Sequence, residues 1–325
     1  MFVHLMLQKS ITRISILLLH LILMSSSPAE NDLLHDFNPF FKVHKDGRVE
    51  PYNTGNPPKL PPGFDPKTGI ETKDYVISSD TGVLVRVFTP KLKDPDQKVP
   101  LIFHVHGGGF CLGSALDPIT HNFIASLLSR IDAIVVSVEY RLALDHPLPT
   151  AYDDCWEALK WVGSRPGSEL LTRSVDFNKV FLMGESAGAN IAHHLAVRAG
   201  VEGLDGLKIA GVLVVHPFFV GDEEDKMYKF LCPTSSGCKD DPKLYPGADP
   251  NLARMATGRV LVCLAEKDHL KERGLEYYNT LKKSGWVGSV ELFESEGCDH
   301  CFHLFGQNEK ADELFHKFAD FIKHE

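Results

Sequence analysis

Residues 180–190 read Val180-Phe181-Leu182-Met183-Gly184-Glu185-Ser186-Ala187-Gly188-Ala189-Asn190. Four apolar residues, a serine flanked by small residues, and then a stretch of helical spacing predict a strand, a sharp turn and a helix. Ser186 on that turn is the candidate nucleophile, because small neighbours let the chain reverse where a larger side chain would strike the adjoining strand and helix. A glycine-rich turn that merely includes serine is the plainer reading of the five residues 184–188. The strand before them and the helix after them argue against it.

Outward from this stretch, apolar runs at 101–105, 133–138, 209–215 and 260–264 alternate with stretches at 152–162, 187–199, 271–284 and 309–323 that carry apolar residues three and four apart. The continuous runs read as strands buried on both faces. Their alternation with helices predicts an α/β fold with a mostly parallel central sheet and helices on both faces. Upstream, β-branched runs at 75–78 and 83–89 flank Ser79-Asp80-Thr81-Gly82, which predicts an antiparallel hairpin at one edge. Residues 51–66, rich in Pro, Gly and Asn, disfavour helix and strand and are expected to run over the surface. Residues 221–250, with Cys232, Cys238 and four prolines, read as irregular loop or cap.

In such folds ligands bind beyond the C-terminal ends of the strands, so chemistry is sought there. After 101–105 comes His106-Gly107-Gly108-Gly109-Phe110. Gly107 and Gly108 are the expected backbone donors to an oxyanion, Ala187 completes the set, and Phe110 is expected to touch substrate. The loop has neither the Gly-Lys-Ser/Thr ending of a phosphate loop nor the spacing of a dinucleotide fingerprint. A serine needs a base and an orienting carboxylate, which follow it in the order Ser, Asp/Glu, His in this arrangement. Asp268, just past 260–264, fits the carboxylate, with Glu266 its nearby competitor. The base belongs on the loop after a strand at 290–294, where His300 and His303 both qualify. His300 is preferred because it lies further from the last helix, and His303 is expected to pack. Cys298, His300, Cys301 and His303 are zinc-ligand types, but they fall within six consecutive residues without the separated pairs of zinc modules. No metal and no cofactor is expected. His193 and His194 read as packed or solvated, and Asp153 and Asp154 as helix-capping.

Composition narrows the partners. With 43% hydrophobic and 24% charged residues the 325-residue chain is neither disordered nor collagen-like. Its 34 basic against 43 acidic residues give a net charge of −9 with no long basic block, which argues against nucleic acid. The expected partner is a small molecule, and the sequence is silent on oligomeric state. Seven cysteines without regular spacing do not read as a disulfide framework, and most are expected to be reduced thiols in or near the core.

At the N-terminus, Lys9 and Arg13 precede an apolar run at 14–24 and small residues at 25–29, the layout of a secretory signal. The run is interrupted by His20 and falls short of the ~20 residues of a spanning helix, so no stable membrane anchor is expected. Met24 also opens a polar leader that flows into Asp36-Phe37-Asn38-Pro39-Phe40-Phe41. The expectation is a cytoplasmic protein, with the secretory pathway the alternative. Residues 1–30 are thus a leader or signal and 31–325 one catalytic domain, in which 31–70 form an N-terminal arm contributing to the cap.

At these residues the chain resembles the plant carboxylesterases of the hormone-sensitive-lipase-like α/β-hydrolase group. The resemblance runs from about Phe37 to the C-terminus. It rests on residues 41–50, His106 to Phe110, Tyr140-Arg141-Leu142-Ala143, residues 184–190, Ala265-Glu266-Lys267-Asp268, and Asp299-His300-Cys301-Phe302-His303-Leu304-Phe305. It implies an α/β-hydrolase fold and a serine esterase acting on small carboxylic esters of metabolites or xenobiotics. The family's catalytic positions then fall on Ser186, Asp268 and His300. It also implies alternatives, a dehydratase or cyclase of plant metabolites or a ligand-binding receptor. His300 argues against the receptor, and Ser186 stands where the dehydratases commonly carry threonine. Two departures stand out: Ala143-Leu144-Asp145-His146 loses a proline that stiffens this loop in relatives, and residues 219–227 are shorter than is usual where the family covers its pocket.

Overall fold

The computed structural model describes residues 32–52, 58–92, 94, 97–165, 169–306 and 308–324. The apolar run 14–24 and the small residues 25–29 lie outside them. Two compact units divide the chain, Met1–Gly55 and Asn56–Glu325. In the first, β1 (Leu33–Phe37), β2 (Phe41–His44) and β3 (Val49–Pro51) form an antiparallel sheet in that order. Pro51 ends an edge strand, where its missing N–H breaks no ladder. Of residues 51–66, expected to form neither helix nor strand, Pro51 and Gly63–Asp65 are in strands.

The second unit is built on nine strands in the order β12-β11-β10-β9-β7-β8-β6-β5-β4. Their ranges are β4 (Gly63–Asp65), β5 (Ile70–Val76), β6 (Leu84–Thr89), β7 (Val99–Val105), β8 (Ile134–Glu139), β9 (Val175–Glu185), β10 (Ile209–Val215), β11 (Arg259–Ala265) and β12 (Ser289–Ser295). From β7 onward neighbours run parallel, and β4, β5 and β6 add an antiparallel edge. The expected hairpin is present, but β5 starts at Ile70 rather than at residue 75, because its first residues pair with β4 inside the stretch read as irregular.

Seven helices are described: α1 (Pro118–Leu128), α2 (Thr150–Gly163), α3 (Glu169–Ser174), α4 (Ala187–Glu202), α5 (Lys226–Leu231), α6 (Lys271–Lys283) and α7 (Glu309–Lys323). Among the described residues none is long and apolar enough to cross a membrane. One sheet face, with Ile102, Phe181, Leu213 and Leu261, packs on α1 through Phe123 and Ile124 and on α7 through Leu314 and Phe318. The alternate residues Leu101, Phe103, Leu182 and Val212 are equally buried on the other face, and α4 packs on β9, β10 and β7. A helix on each side explains why these runs are apolar on both faces, the buried pair His104 and Ser137 apart.

Asp154 corrects the capping expectation. Pro149 precedes α2, and the Asp154 carboxylate is buried against the backbone N–H and guanidinium of Arg141, at 2.6 Å from Nη2. Asn190 of α4 donates to the carbonyls of Phe218 (2.9 Å) and Lys243 (2.8 Å), tying residues 218–243 to the helix. Those residues contain α5, so they are more regular than expected. All seven cysteines are free and six are buried.

Inside the hairpin, Asp74 lies opposite Arg86, whose guanidinium makes two hydrogen bonds to the carboxylate at 2.7 and 2.8 Å while only 1% of the residue is exposed. Removing one partner of such a pair leaves a buried charge uncompensated. Asp74→Ala is expected to lower stability in urea unfolding by about 3 kcal/mol, and Asp74→Leu with Arg86→Met to recover most of it.

Candidate active site

The sheet order reverses direction at β7. From there β8 lies on one side and β9, β10, β11 and β12 follow on the other. The C-terminal ends of β7 and β9 therefore flank the crevice where open α/β sheets bind ligands. At the end of β9 the chain turns at Ser186, with φ 55° and ψ −118°, and enters α4 at Ala187. A Cβ at Gly188 would stand 2.0 Å from the Val105 carbonyl oxygen, so only glycine lets α4 approach β7 this closely. Ser186 N–H donates to the Val215 carbonyl (2.9 Å) and its own carbonyl accepts from Phe218 N–H (3.0 Å).

The loop after β7 folds around Gly108, whose φ is 107° and whose Cβ would lie 2.2 Å from the Leu112 carbonyl oxygen. Gly107 departs from expectation: its N–H donates to Glu185 Oε1 at 3.0 Å and is not free for an oxyanion. Gly108 and Gly109, both at positive φ, follow it, and Ala187 carries one of the N–H groups at the start of α4 that lack an intrahelical acceptor. Phe110 is also corrected. It is 0% exposed and packed among Tyr152, Phe218 and Tyr228, so it supports the loop from behind rather than meeting solvent.

Glu185 is a residue that sequence reasoning passed over. Its other oxygen accepts from His104 Nε2 at 3.1 Å, and His104 Nδ1 lies 2.9 Å from the Ser137 hydroxyl. Burial pushes the Glu185 pKa up, but His104 and the Gly107 N–H outweigh it and hold the carboxyl below its ordinary value. One buried carboxylate thus joins the turn at Ser186 to the glycine loop. Its signal was its place, directly before Ser186 at a strand end.

Asp268 and His300 are brought together. Asp268 lies past β11, 6% exposed, and its Oδ2 is 2.7 Å from His300 Nδ1 while Oδ1 accepts from Leu270 N–H at 2.8 Å. Burial again raises the carboxyl pKa, and the His300 hydrogen bond and charge overcome it, so the net shift is downward. Glu266 has another task, accepting from Gly297 N–H in the loop that carries His300. His303 is in the core, 4% exposed, against Phe123, Phe315 and Phe318. A cleft of about 700 Å³ beside residues 303–306 is lined by His303, Phe305 and Phe315 and includes none of Ser186, Asp268 and His300.

The Cys298, His300, Cys301, His303 quartet does not converge. Among the described residues, His216 joins His300 and Cys301, and His269 joins Asp268 and His300, with ligand atoms within 4.8 Å. Both groups need His300, whose Nδ1 is committed to Asp268. His216, at the end of β10, is the second residue the sequence reading missed.

Residues 102–304 match the family model of the α/β-hydrolase fold. The chain is 38% identical over 325 residues to a 2-hydroxyisoflavanone dehydratase of Glycyrrhiza echinata, covering 92% of this chain and 98% of that protein. It is 40% identical over 301 residues to probable carboxylesterase 2 of Arabidopsis thaliana, covering 87% and 94%. The chain belongs to the plant carboxylesterase family of α/β-hydrolases. A hyperthermophilic esterase from the archaeon Pyrobaculum calidifontis has the same fold, with a TM-score of 0.63, 26% identity and coverage of 78% of this carboxylesterase-family chain and 85% of its own.

Several histidines of this plant carboxylesterase-family protein are held neutral. Burial lowers His303 from 6.5 to about 3, and it lowers His193, His194 and His216 as well. Between those folded values and 6.5 the unfolded chain binds the extra protons. Stability is therefore complete above 6.5 and falls as pH drops, at about 1.4 kcal/mol per pH unit for each such group. Urea midpoints measured from about pH 7 to about pH 5 should decline, and His303→Phe should decline less steeply. A parental slope in that variant would contradict the assignment.

Proposed function

We propose that the protein is a serine carboxylesterase that hydrolyses small carboxylic esters through an acyl-enzyme on Ser186. The observation that carries this reading is the 2.7 Å bond from His300 Nδ1 to Asp268, which lies past the C-terminal end of β11 at the same edge of the parallel sheet as the strained turn at Ser186. With Nδ1–H held by the carboxylate, Nε2 keeps its lone pair and is the base. Ser186 Oγ attacks the ester carbonyl as His300 Nε2 takes its proton. The tetrahedral oxyanion receives hydrogen bonds from the N–H groups of Gly108, Gly109 and Ala187, and His300 returns the proton to the departing alkoxide. Water then repeats the sequence on the acyl-enzyme. Asp268 stays ionised throughout and stabilises the imidazolium.

Seven unpaired thiols support a reducing compartment, hence the cytoplasm, as the place of action. A second reading draws on the dehydratase relative. The same base and donors would serve removal of water from a plant metabolite, with Ser186 not acylated.

Soluble short-chain aryl esters should be turned over and a serine-directed organophosphate should abolish that turnover. Ser186→Ala should lose about 10⁶-fold in kcat. His300→Ala should be comparably impaired while His303→Ala, if folded, keeps most activity. Parental hydrolysis by Ser186→Ala would remove the acyl-enzyme reading, and an inert parent that labels at Ser186 would favour the dehydratase one.

A further inference from the structure

We infer that His216 is a positioning residue, whose Nδ1 holds the Cys301 N–H and so fixes the backbone turn that presents His300 to Ser186. This deepens the proposed function and rests on the reading of His300 as its base. His216 lies between the two halves of the site. Its own N–H donates to the Cys263 carbonyl of β11 at 2.8 Å, and the residue before it, Val215, accepts from Ser186 N–H at 2.9 Å. Two residues later Phe218 N–H donates to the Ser186 carbonyl at 3.0 Å. The backbone around His216 is thus bonded to the nucleophile turn, and its side chain reaches the other partner.

That reach is specific. Cys301 N–H donates to His216 Nδ1 at 3.0 Å, and the two imidazoles of His216 and His300 lie 5.9 Å apart, centroid to centroid. The Cys301 N–H belongs to the peptide that begins at the His300 carbonyl, so its acceptor sets the orientation of that peptide. Cys301 is at φ 51°, a left-handed conformation that a non-glycine residue keeps only where its surroundings hold it. His216 is fully buried and, with Nδ1 accepting, carries its proton on Nε2, which has no partner among the described residues. An apolar side chain of like size would fill the space without an unsatisfied donor. Only an acceptor on the Nδ1 side accounts for the Cys301 contact, and burial keeps the imidazole neutral, the state in which Nδ1 can accept.

Three variants test it, with rates normalised to folded protein. Asparagine places its carbonyl near the Nδ1 position and tolerates the φ of 46° at residue 216, glutamine places it near Nε2, and phenylalanine keeps the ring without an acceptor. Labelling of Ser186 by a fluorophosphonate reads the serine–histidine pair without relying on any natural substrate. His216→Gln and His216→Phe should slow labelling and lower kcat for an aryl ester by about 10- to 100-fold, with KM within about twofold, and His216→Asn should restore both to within about fivefold. Should phenylalanine prevent folding, the contrast of glutamine with asparagine decides alone. Parental labelling in His216→Gln, or equal losses in His216→Asn and His216→Gln, would overturn the inference. A parent that labels but hydrolyses no ester would overturn the esterase reading while the labelling ratios still decide on His216. A Ser186 that resists labelling altogether would overturn both.

Discussion

The reversal of the chain at Ser186 is the constraint on which the site depends. A serine at φ 55° and ψ −118° is backbone strain of order 1–3 kcal/mol, and it persists only because the surroundings leave no alternative. Gly188 brings α4 against the end of β7, the Ser186 peptide is bonded on both sides to the chain leaving β10, and Glu185 reaches across to Gly107. Three parallel strands must therefore be in register before the turn can form. The turn in turn lifts the Ser186 side chain out of the sheet while keeping the residue 8% exposed. Rigidity at this point saves reorganisation when charge develops.

Two electrostatic regimes meet here. Asp268 and Glu185 are buried carboxyls kept ionised, each by an imidazole and a backbone N–H, so burial costs are offset by bonds only the anion can accept. Around them His106, His216 and His303 are kept neutral by burial without a carboxylate in contact. His300 stands between the regimes. Its side chain is 26% exposed and bonded to an aspartate side chain that is 1% exposed, so the orienting group is fixed in protein while the base is open to the crevice. The same dryness that keeps His216 neutral makes its single acceptor bond to Cys301 strong.

The sequence was most readable where one face or one turn dictates residue type. Strands apolar on both faces announced the sheet, and α7 was bounded at 309–323 because Asn308 caps it and its apolar stripe is regular. Helix α1 went unread although Asp117 and Pro118 mark its start, because His121, Asn122 and Ser126 break its apolar pattern. β1, β2 and β3 were hidden for another reason: short strands among Pro and Gly are set by pairing partners, not by local preference. Within the site, Ser186, Asp268 and His300 were visible by type and order. Gly107 misled because the two residues after it are also glycines, and only the three-dimensional approach of Glu185 shows which N–H is already taken. His216 was invisible because its partner lies 85 residues away, on a backbone N–H that no motif records.

One constellation can serve two chemistries, and the proposed reading turns on what the substrate offers. An ester carbonyl carries a leaving alkoxide, so attack by Ser186 goes forward to an acyl-enzyme. A ketone carries none, and attack on it only reverses; a base at the His300 position can then remove a proton beside the carbonyl while the same N–H donors take the charge on the enolate oxygen. The catalytic groups do not discriminate between these fates. Discrimination falls to whatever holds the carbonyl against Ser186; the segment after β10 is bonded to Ser186 through the Phe218 N–H, tied to α4 by Asn190 and packed on Phe110 through Phe218 and Tyr228. Phe110 directly follows Gly108 and Gly109, so the packing of that segment bears on the loop proposed to supply the oxyanion donors. On the proposed reading, substrate choice and reaction type are therefore coupled through the packing of Phe110 against Phe218 and Tyr228.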